Sequence, residues 1–83
     1  MSRTYAYQII NGTKMPSKDK VIALAIALKC DLHETNNLLN LSNNGNLYSK
    51  VKRDALIIKS LNNKYSVEKT NILLDEYNLE ILK

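Results

Sequence analysis

The chain is poor in the residues that carry enzymatic or metal chemistry. Its 83 residues include no tryptophan or phenylalanine, one cysteine, one histidine, one proline and two glycines. One cysteine cannot form an internal disulfide, and neither it nor His33 has a second ligand at metal-site spacing. Two glycines are too few for a phosphate-cradling loop. The sequence therefore predicts a protein that is not an enzyme and has no catalytic residues, metal or other cofactor.

Long apolar runs are also absent. The longest, Val21 to Leu28, has eight residues, far fewer than a bilayer-spanning helix needs. No signal peptide precedes it, and Cys30 is expected to be a buried or turn thiol. We therefore expect a cytoplasmic protein with no membrane contact.

Charge is unevenly distributed along one small domain, residues 1–83. The net charge is +4, from 12 basic and 8 acidic residues. Basic residues concentrate in residues 1–20 and 50–64, whereas the stretch from Ser66 onwards is mainly acidic. Such basic stretches permit nucleic-acid binding, but they are equally compatible with an ordinary solvated surface.

An internal repeat covers most of the chain. Residues 18–48 align without a gap on residues 53–83, and nine of these 31 positions are identical. A gapless match of this length predicts one helical hairpin used twice. The predicted domain is thus all-α, with two stacked helical hairpins (18–48 and 49–83) after a recognition-helix-like segment and loop, residues 1–17.

Capping residues and apolar spacing divide the chain into about five helices. Ser17, Ser66 and an Asp31–Glu34 capping box mark three of the starts. The predicted helices are 3–11, 18–29, 32–41, 51–63 and a last one from Ser66. In the fourth, the buried face is predicted to comprise Val51, Ala55, Leu56, Ile58 and Leu61, widened by Ile57. In the last it comprises Val67, Thr70, Leu73, Leu74 and Tyr77.

Two further features are expected to be structural. The apolar tail of Leu79, Ile81 and Leu82 should fold back on the domain, as Leu47 would in the first copy. Asn36 and Asn71 occupy equivalent helix positions, where asparagine is unfavourable. Their recurrence indicates amides that bond to a neighbouring helix or connecting backbone, rather than a ligand site.

The first twelve residues carry the most hydrogen-bonding chemistry. Between Ser2 and Gly12 they place a guanidinium, hydroxyls, two phenols and two side-chain amides on one short predicted helix. Such a helix suits a DNA major groove, where Gln or Asn can pair with adenine and Arg with guanine. Lys14, Lys18 and Lys20 follow and are placed to contact phosphates.

The stretch from Arg3 to Ser17, R-T-Y-A-Y-Q-I-I-N-G-T-K-M-P-S, resembles the recognition helix and following loop of Cro/repressor-type (XRE-like) helix-turn-helix regulators. The Ala/Leu-rich run Val21–Leu28 resembles the next helix of that family. The remainder is similar to C-terminal extensions of small bacterial regulators of this type. The resemblance implies base or nearby backbone contacts from Arg3, Thr4, Tyr7 and Gln8. It also implies phosphate contacts from Asn11, Thr13 and Lys14, and core packing by Tyr5, Ile9 and Ile10.

One departure from the family leaves two hypotheses open. The family places two helices before the recognition helix, whereas here only Met1 and Ser2 precede it. The first hypothesis is a DNA-binding transcriptional regulator, or a truncated one, acting as a homodimer on double-stranded DNA. The second is a non-enzymatic interaction or dimerisation module that has lost DNA binding and pairs with another protein or a second copy.

Overall fold

The structure is a computed structural model that describes residues 16–83. These residues form four α-helices and no strands: α1 (Lys18–Ala27), α2 (Leu32–Leu41), α3 (Lys52–Asn62) and α4 (Val67–Glu76). The all-α prediction is confirmed, and each of these helices starts within one residue of its predicted position. The short helix predicted over residues 3–11 lies outside the described residues.

Local sequence signals fix where three of the helices begin. Each start is capped by a side-chain oxygen that accepts a first-turn backbone N–H, as predicted. The caps are Lys20 N–H to Ser17 Oγ at 3.2 Å, Glu34 N–H to Asp31 Oδ1 at 2.8 Å, and Lys69 N–H to Ser66 Oγ at 3.1 Å. The Glu34 carboxylate accepts the Asp31 N–H in return at 3.2 Å, which completes the predicted capping box. Of the four described helices, α3 alone starts without a side-chain cap, after Val51.

The two hairpins, α1–α2 and α3–α4, are related by an approximate two-fold rotation. Lys29 Nζ donates to the Lys64 carbonyl at 3.0 Å, and Lys64 Nζ donates to the Lys29 carbonyl at 2.9 Å. Both lysines have left-handed backbones just past the ends of α1 and α3, with φ of 58° and 56°. Reciprocal contacts between equivalent residues define a two-fold axis, because a simple translation would make them in one direction only. The two predicted helical hairpins are therefore present, and a rotation of about 180° relates one to the other.

The core is built from the same positions of both hairpins. Ile22 with Ile57, and Leu39 with Leu74, are equivalent pairs whose members are all fully buried. The predicted fold-back is also present at both hairpin ends, and the buried thiol of Cys30 completes the apolar cluster. The buried apolar side chains are Val21, Ile22, Ala25, Ile26, Cys30, Leu38, Leu39, Leu47, Ile57, Leu61, Leu74 and Leu82.

Equivalent asparagines hold each fold-back in place. Asn36 Oδ1 accepts the Leu47 N–H at 2.9 Å, and Asn71 Oδ1 accepts the Leu82 N–H at 2.8 Å. Both bonds are partly buried, so they satisfy backbone donors that would otherwise face the core. The prediction that these amides bond to connecting backbone is confirmed.

The predicted face of α3 is partly wrong. Val51 is 48% exposed, while Asp54, Ile57, Ser60 and Leu61 are the buried residues of this helix. The buried face is turned toward Asp54, whose carboxylate lies inside the molecule and pairs with Lys18 of the other hairpin, while Val51 precedes the first turn of the helix. Tyr77 and Ile81 were also predicted to be packed, yet both are exposed.

A buried hydroxyl on α3 generates a stability prediction. Ser60 is fully buried, and within residues 16–83 its Oγ has no hydrogen-bond partner. The equivalent position of α1 is Ala25, which is also fully buried. We expect Ser60→Ala to raise the free energy of unfolding by about 1 kcal/mol, because it removes an unsatisfied polar group and improves helix propensity.

The matched control is the reverse substitution in the other hairpin. Ala25→Ser should lower the free energy of unfolding by about 1–2 kcal/mol for the same reason. Urea titrations monitored by circular dichroism measure both. If Ser60→Ala instead lowered the free energy of unfolding, the Ser60 hydroxyl would have to make a stabilising hydrogen bond, and the prediction would be wrong.

Candidate nucleic-acid interface

The seven residues predicted to contact DNA lie outside the described residues. They are Arg3, Thr4, Tyr7, Gln8, Asn11, Thr13 and Lys14. The structure describes the point at which the chain leaves them and enters the fold. Pro16 is partly buried, and its carbonyl accepts a hydrogen bond from Asn44 Nδ2 at 3.0 Å. The entry point is therefore fixed against the loop between α2 and α3, directly before the Ser17 cap of α1.

Asp54 in the first turn of α3 is the centre of one cross-hairpin cluster. Its Oδ2 lies 3.5 Å from Lys18 Nζ of α1 and accepts the Tyr48 backbone N–H at 3.1 Å. The Asp54 side chain is 5% exposed and that of Lys18 is 36% exposed. A nearly buried carboxylate is thus paired with a lysine that still reaches solvent.

Asp19 in the first turn of α1 is the two-fold equivalent of Asp54. It accepts two hydrogen bonds from the Arg53 guanidinium, at 3.1 and 3.0 Å, and lies 3.4 Å from the Lys83 N–H. Arg53 also donates to the carbonyls of Glu80 at 2.9 Å and Ile81 at 3.3 Å. Because the planar guanidinium group donates to Asp19 of the first hairpin and to carbonyls of the tail, it holds the C-terminal tail against both hairpins.

Together the two clusters place the starts of α1 and α3 side by side at one end of the molecule. We call this the basic end and define it by the first turns of α1 and α3 and the segments bonded to them. Its basic side chains are Lys18, Lys20, Lys50, Lys52, Arg53 and Lys83, and its acidic ones are Asp19, Asp54 and Glu80. Lys20, Lys50 and Lys52 are exposed, and no acidic group within residues 16–83 forms an ion pair with them.

The second basic stretch of the sequence, residues 50–64, is divided between the two ends of the molecule. Lys50, Lys52 and Arg53 belong to the basic end. Lys64 lies past the other end of α3, an 11-residue helix about 16 Å long, where it bonds to Lys29. Residues grouped by sequence as one patch are thus two separate groups, and Arg53 is committed to Asp19.

Other candidate chemistry is sparse in the described part of the chain. His33 is exposed, as predicted, with Nε2 3.4 Å from Asn37 Nδ2. Between residues 16 and 83, no three acidic, histidine or cysteine side chains are grouped in a way that could hold a metal ion. In the same range, no helix combines the length and apolar character needed to cross a membrane.

Comparison with protein families gives a match at the N-terminal part of the chain. A family model described as Helix-turn-helix matches residues 1–34, which span the seven predicted residues, the entry point and all of α1. The match supports a helix-turn-helix of the XRE type in this part of the chain. No curated protein and no solved structure matches the sequence.

Proposed function

We propose that the protein is a DNA-binding transcriptional regulator whose contacts with duplex DNA are made by the N-terminal segment. The helix-turn-helix match over residues 1–34 is the observation that carries this proposal. In this assignment Arg3, Thr4, Tyr7 and Gln8 face bases or the adjacent backbone. Asn11, Thr13 and Lys14 lie near phosphates, and the protein acts as a homodimer on a two-fold site.

The described fold supports this proposal in two ways. The Pro16 carbonyl is anchored by Asn44, so the preceding segment has a defined point of attachment. That point adjoins the basic end, where the first turn of α1 contributes Lys18 and Lys20. A segment bearing Arg3 and Lys14 would therefore approach a polyanion together with further positive charge.

Duplex binding gives a direct test. The full chain should bind a labelled random duplex at low salt, and the affinity should fall steeply as KCl is raised, because phosphate contacts release counterions. Arg3→Ala combined with Lys14→Ala should weaken binding by about tenfold or more, given a base or phosphate contact from each side chain. Fluorescence anisotropy across a KCl series measures both effects.

A matched charge control is available on the described surface. Lys59→Gln combined with Lys69→Gln removes the same charge from exposed positions outside the basic end. It should leave duplex affinity nearly unchanged. The proposal would be abandoned if wild-type binding were no better than about millimolar at low salt, or if the control pair weakened binding as much as the N-terminal pair.

The interaction-module hypothesis has one specific observation in its favour. Three positions of the second hairpin expose apolar side chains where the first has polar ones, and Leu41 of the first is exposed where the second has Glu76. Ile72 is 63% exposed and Tyr77 is 47% exposed, while Ile81 in the tail is 40% exposed. Their repeat equivalents are Asn37, Ser42 and Asn46. Exposed apolar side chains of this size are candidates for a contact surface with another protein or a second copy.

Solution mass discriminates this second function. If the apolar side chains form a dimer contact, the wild type should be dimeric by light scattering at micromolar concentration. Ile72→Asn combined with Ile81→Asn, which copies the first hairpin, should then give a monomer that is still helical by circular dichroism. A wild type that remains monomeric up to about 100 µM would have a dimer dissociation constant weaker than that of most specific complexes. That result argues against self-association through these side chains.

A further inference from the structure

We propose that the basic end is a second contact surface for duplex phosphates, in which Lys50 and Lys52 of the second hairpin extend the contact made from the first. This inference rests on the proposed DNA-binding function and assigns a role to residues beyond the helix-turn-helix match, which ends at residue 34. The partner is the sugar–phosphate backbone, so these contacts add affinity without base specificity.

Charge at this end of the molecule is divided between two sides. The first turns of α1 and α3 and the residues directly before α3 carry more basic than acidic side chains, Lys18, Lys20, Lys50, Lys52 and Arg53 against Asp19 and Asp54. The last turn of α4 and the tail, which meet α3 where Tyr77 contacts Lys52, carry Asp75, Glu76 and Glu80 against Lys83. Positive charge gathered on one side of a folded surface attracts a polyanion to that side, especially at low ionic strength.

The charges at this end are available to a partner because the internal carboxylates are already neutralised. Asp54 is paired with Lys18, and Asp19 is held by the Arg53 guanidinium. Lys50 and Lys52 are exposed and form no ion pair with an acidic group of the described residues. Among those residues, the ring that Lys52 contacts is that of Tyr77, whose centroid lies 5.3 Å from its Nζ. Such a contact orients an ammonium without consuming its charge.

Geometry connects these lysines to the proposed N-terminal contact. Arg53 Nη2 lies 3.0 Å from Asp19 Oδ2, so the first turns of α3 and α1 are held next to each other. The chain enters α1 at Pro16, which is anchored by the loop that leads to α3. The attachment point at Pro16 therefore lies near the first turn of α3, so a duplex bound close to that point would also be within reach of Lys50 and Lys52. Because duplex DNA carries one charge per about 1.7 Å of axis, phosphates are available along such a duplex.

The acidic side chains of α4 set the boundary of this surface. Asp75 and Glu76 are exposed in the last turn of α4, immediately before the Tyr77 that contacts Lys52. They would repel a polyanion on that side. The phosphate-binding direction is thus toward α1 and the entry point, which is also where the N-terminal segment attaches. An anionic membrane would meet the same charges, but the helix-turn-helix match favours DNA.

The test compares two charge-matched pairs in the full chain. One variant carries Lys50→Gln and Lys52→Gln, and the control carries Lys59→Gln and Lys69→Gln. Binding to a labelled random duplex is measured by anisotropy across a KCl series, and circular dichroism checks that each variant folds. Because the first variant can no longer neutralise two phosphates, its slope of log affinity against log salt should become shallower by about 1–2. Its affinity at low salt should fall by about tenfold or more, while the control should match the wild type.

Each outcome bears on a separate claim. If the wild type binds and the Lys50/Lys52 pair weakens binding no more than the control pair, the second contact surface is refuted, and the N-terminal interface is judged by its own pair of variants. If the Lys50/Lys52 pair weakens binding but Arg3→Ala with Lys14→Ala does not, the basic end is supported and the N-terminal assignment fails. An absence of duplex binding refutes both. Wild-type binding to phosphatidylserine vesicles that exceeds duplex binding and is abolished in the Lys50/Lys52 pair refutes DNA as the partner.

Discussion

The bidentate pair between Arg53 and Asp19, repeated in looser form by Lys18 and Asp54, determines how this small domain is assembled. Each carboxylate lies in the first turn of a helix in one hairpin. It is neutralised by a basic side chain in the first turn of a helix in the other hairpin. The two pairs are reciprocal, so they orient the hairpins about an approximate two-fold axis. At the opposite end, the reciprocal hydrogen bonds between Lys29 and Lys64 obey the same approximate two-fold axis. The apolar core between them supplies most of the stabilising free energy, whereas these polar bonds fix its orientation.

This arrangement also determines the distribution of charge. Because each aspartate is satisfied within the fold, the neighbouring lysines of the same two helix turns remain exposed and unpaired by the described acidic groups. A solvated lysine surface is common and by itself says little about function. Here it adjoins the point where residues 1–15 attach, and the helix-turn-helix match runs across that point into α1 and the start of α2. Scaffold and proposed interface are therefore joined through the first turn of α1.

Local signals in the sequence were enough to predict much of the scaffold. Ser17, Asp31 and Ser66 specify helix starts through bonds that span three residues, and Asn36 and Asn71 repeat at equivalent positions. The rotated face of α3 was not predicted, because the partner of Asp54 lies 36 residues away and apolar spacing favoured Val51. The division of the 50–64 basic stretch between two ends of the molecule was missed for a related reason. Closeness in sequence does not show at which end of a helix a lysine lies. The predicted base-contacting residues remain predictions.

A double-mutant cycle on Arg53 and Asp19 tests the central claim most directly. Arg53→Met, Asp19→Asn and the double variant are compared by urea unfolding of the full chain. If the cross-hairpin pair orients the domain, the coupling free energy should be about 1–2 kcal/mol, since both side chains are only partly exposed. A coupling of zero within about 0.3 kcal/mol, with additive single effects, would contradict the claim that this pair holds the two hairpins together.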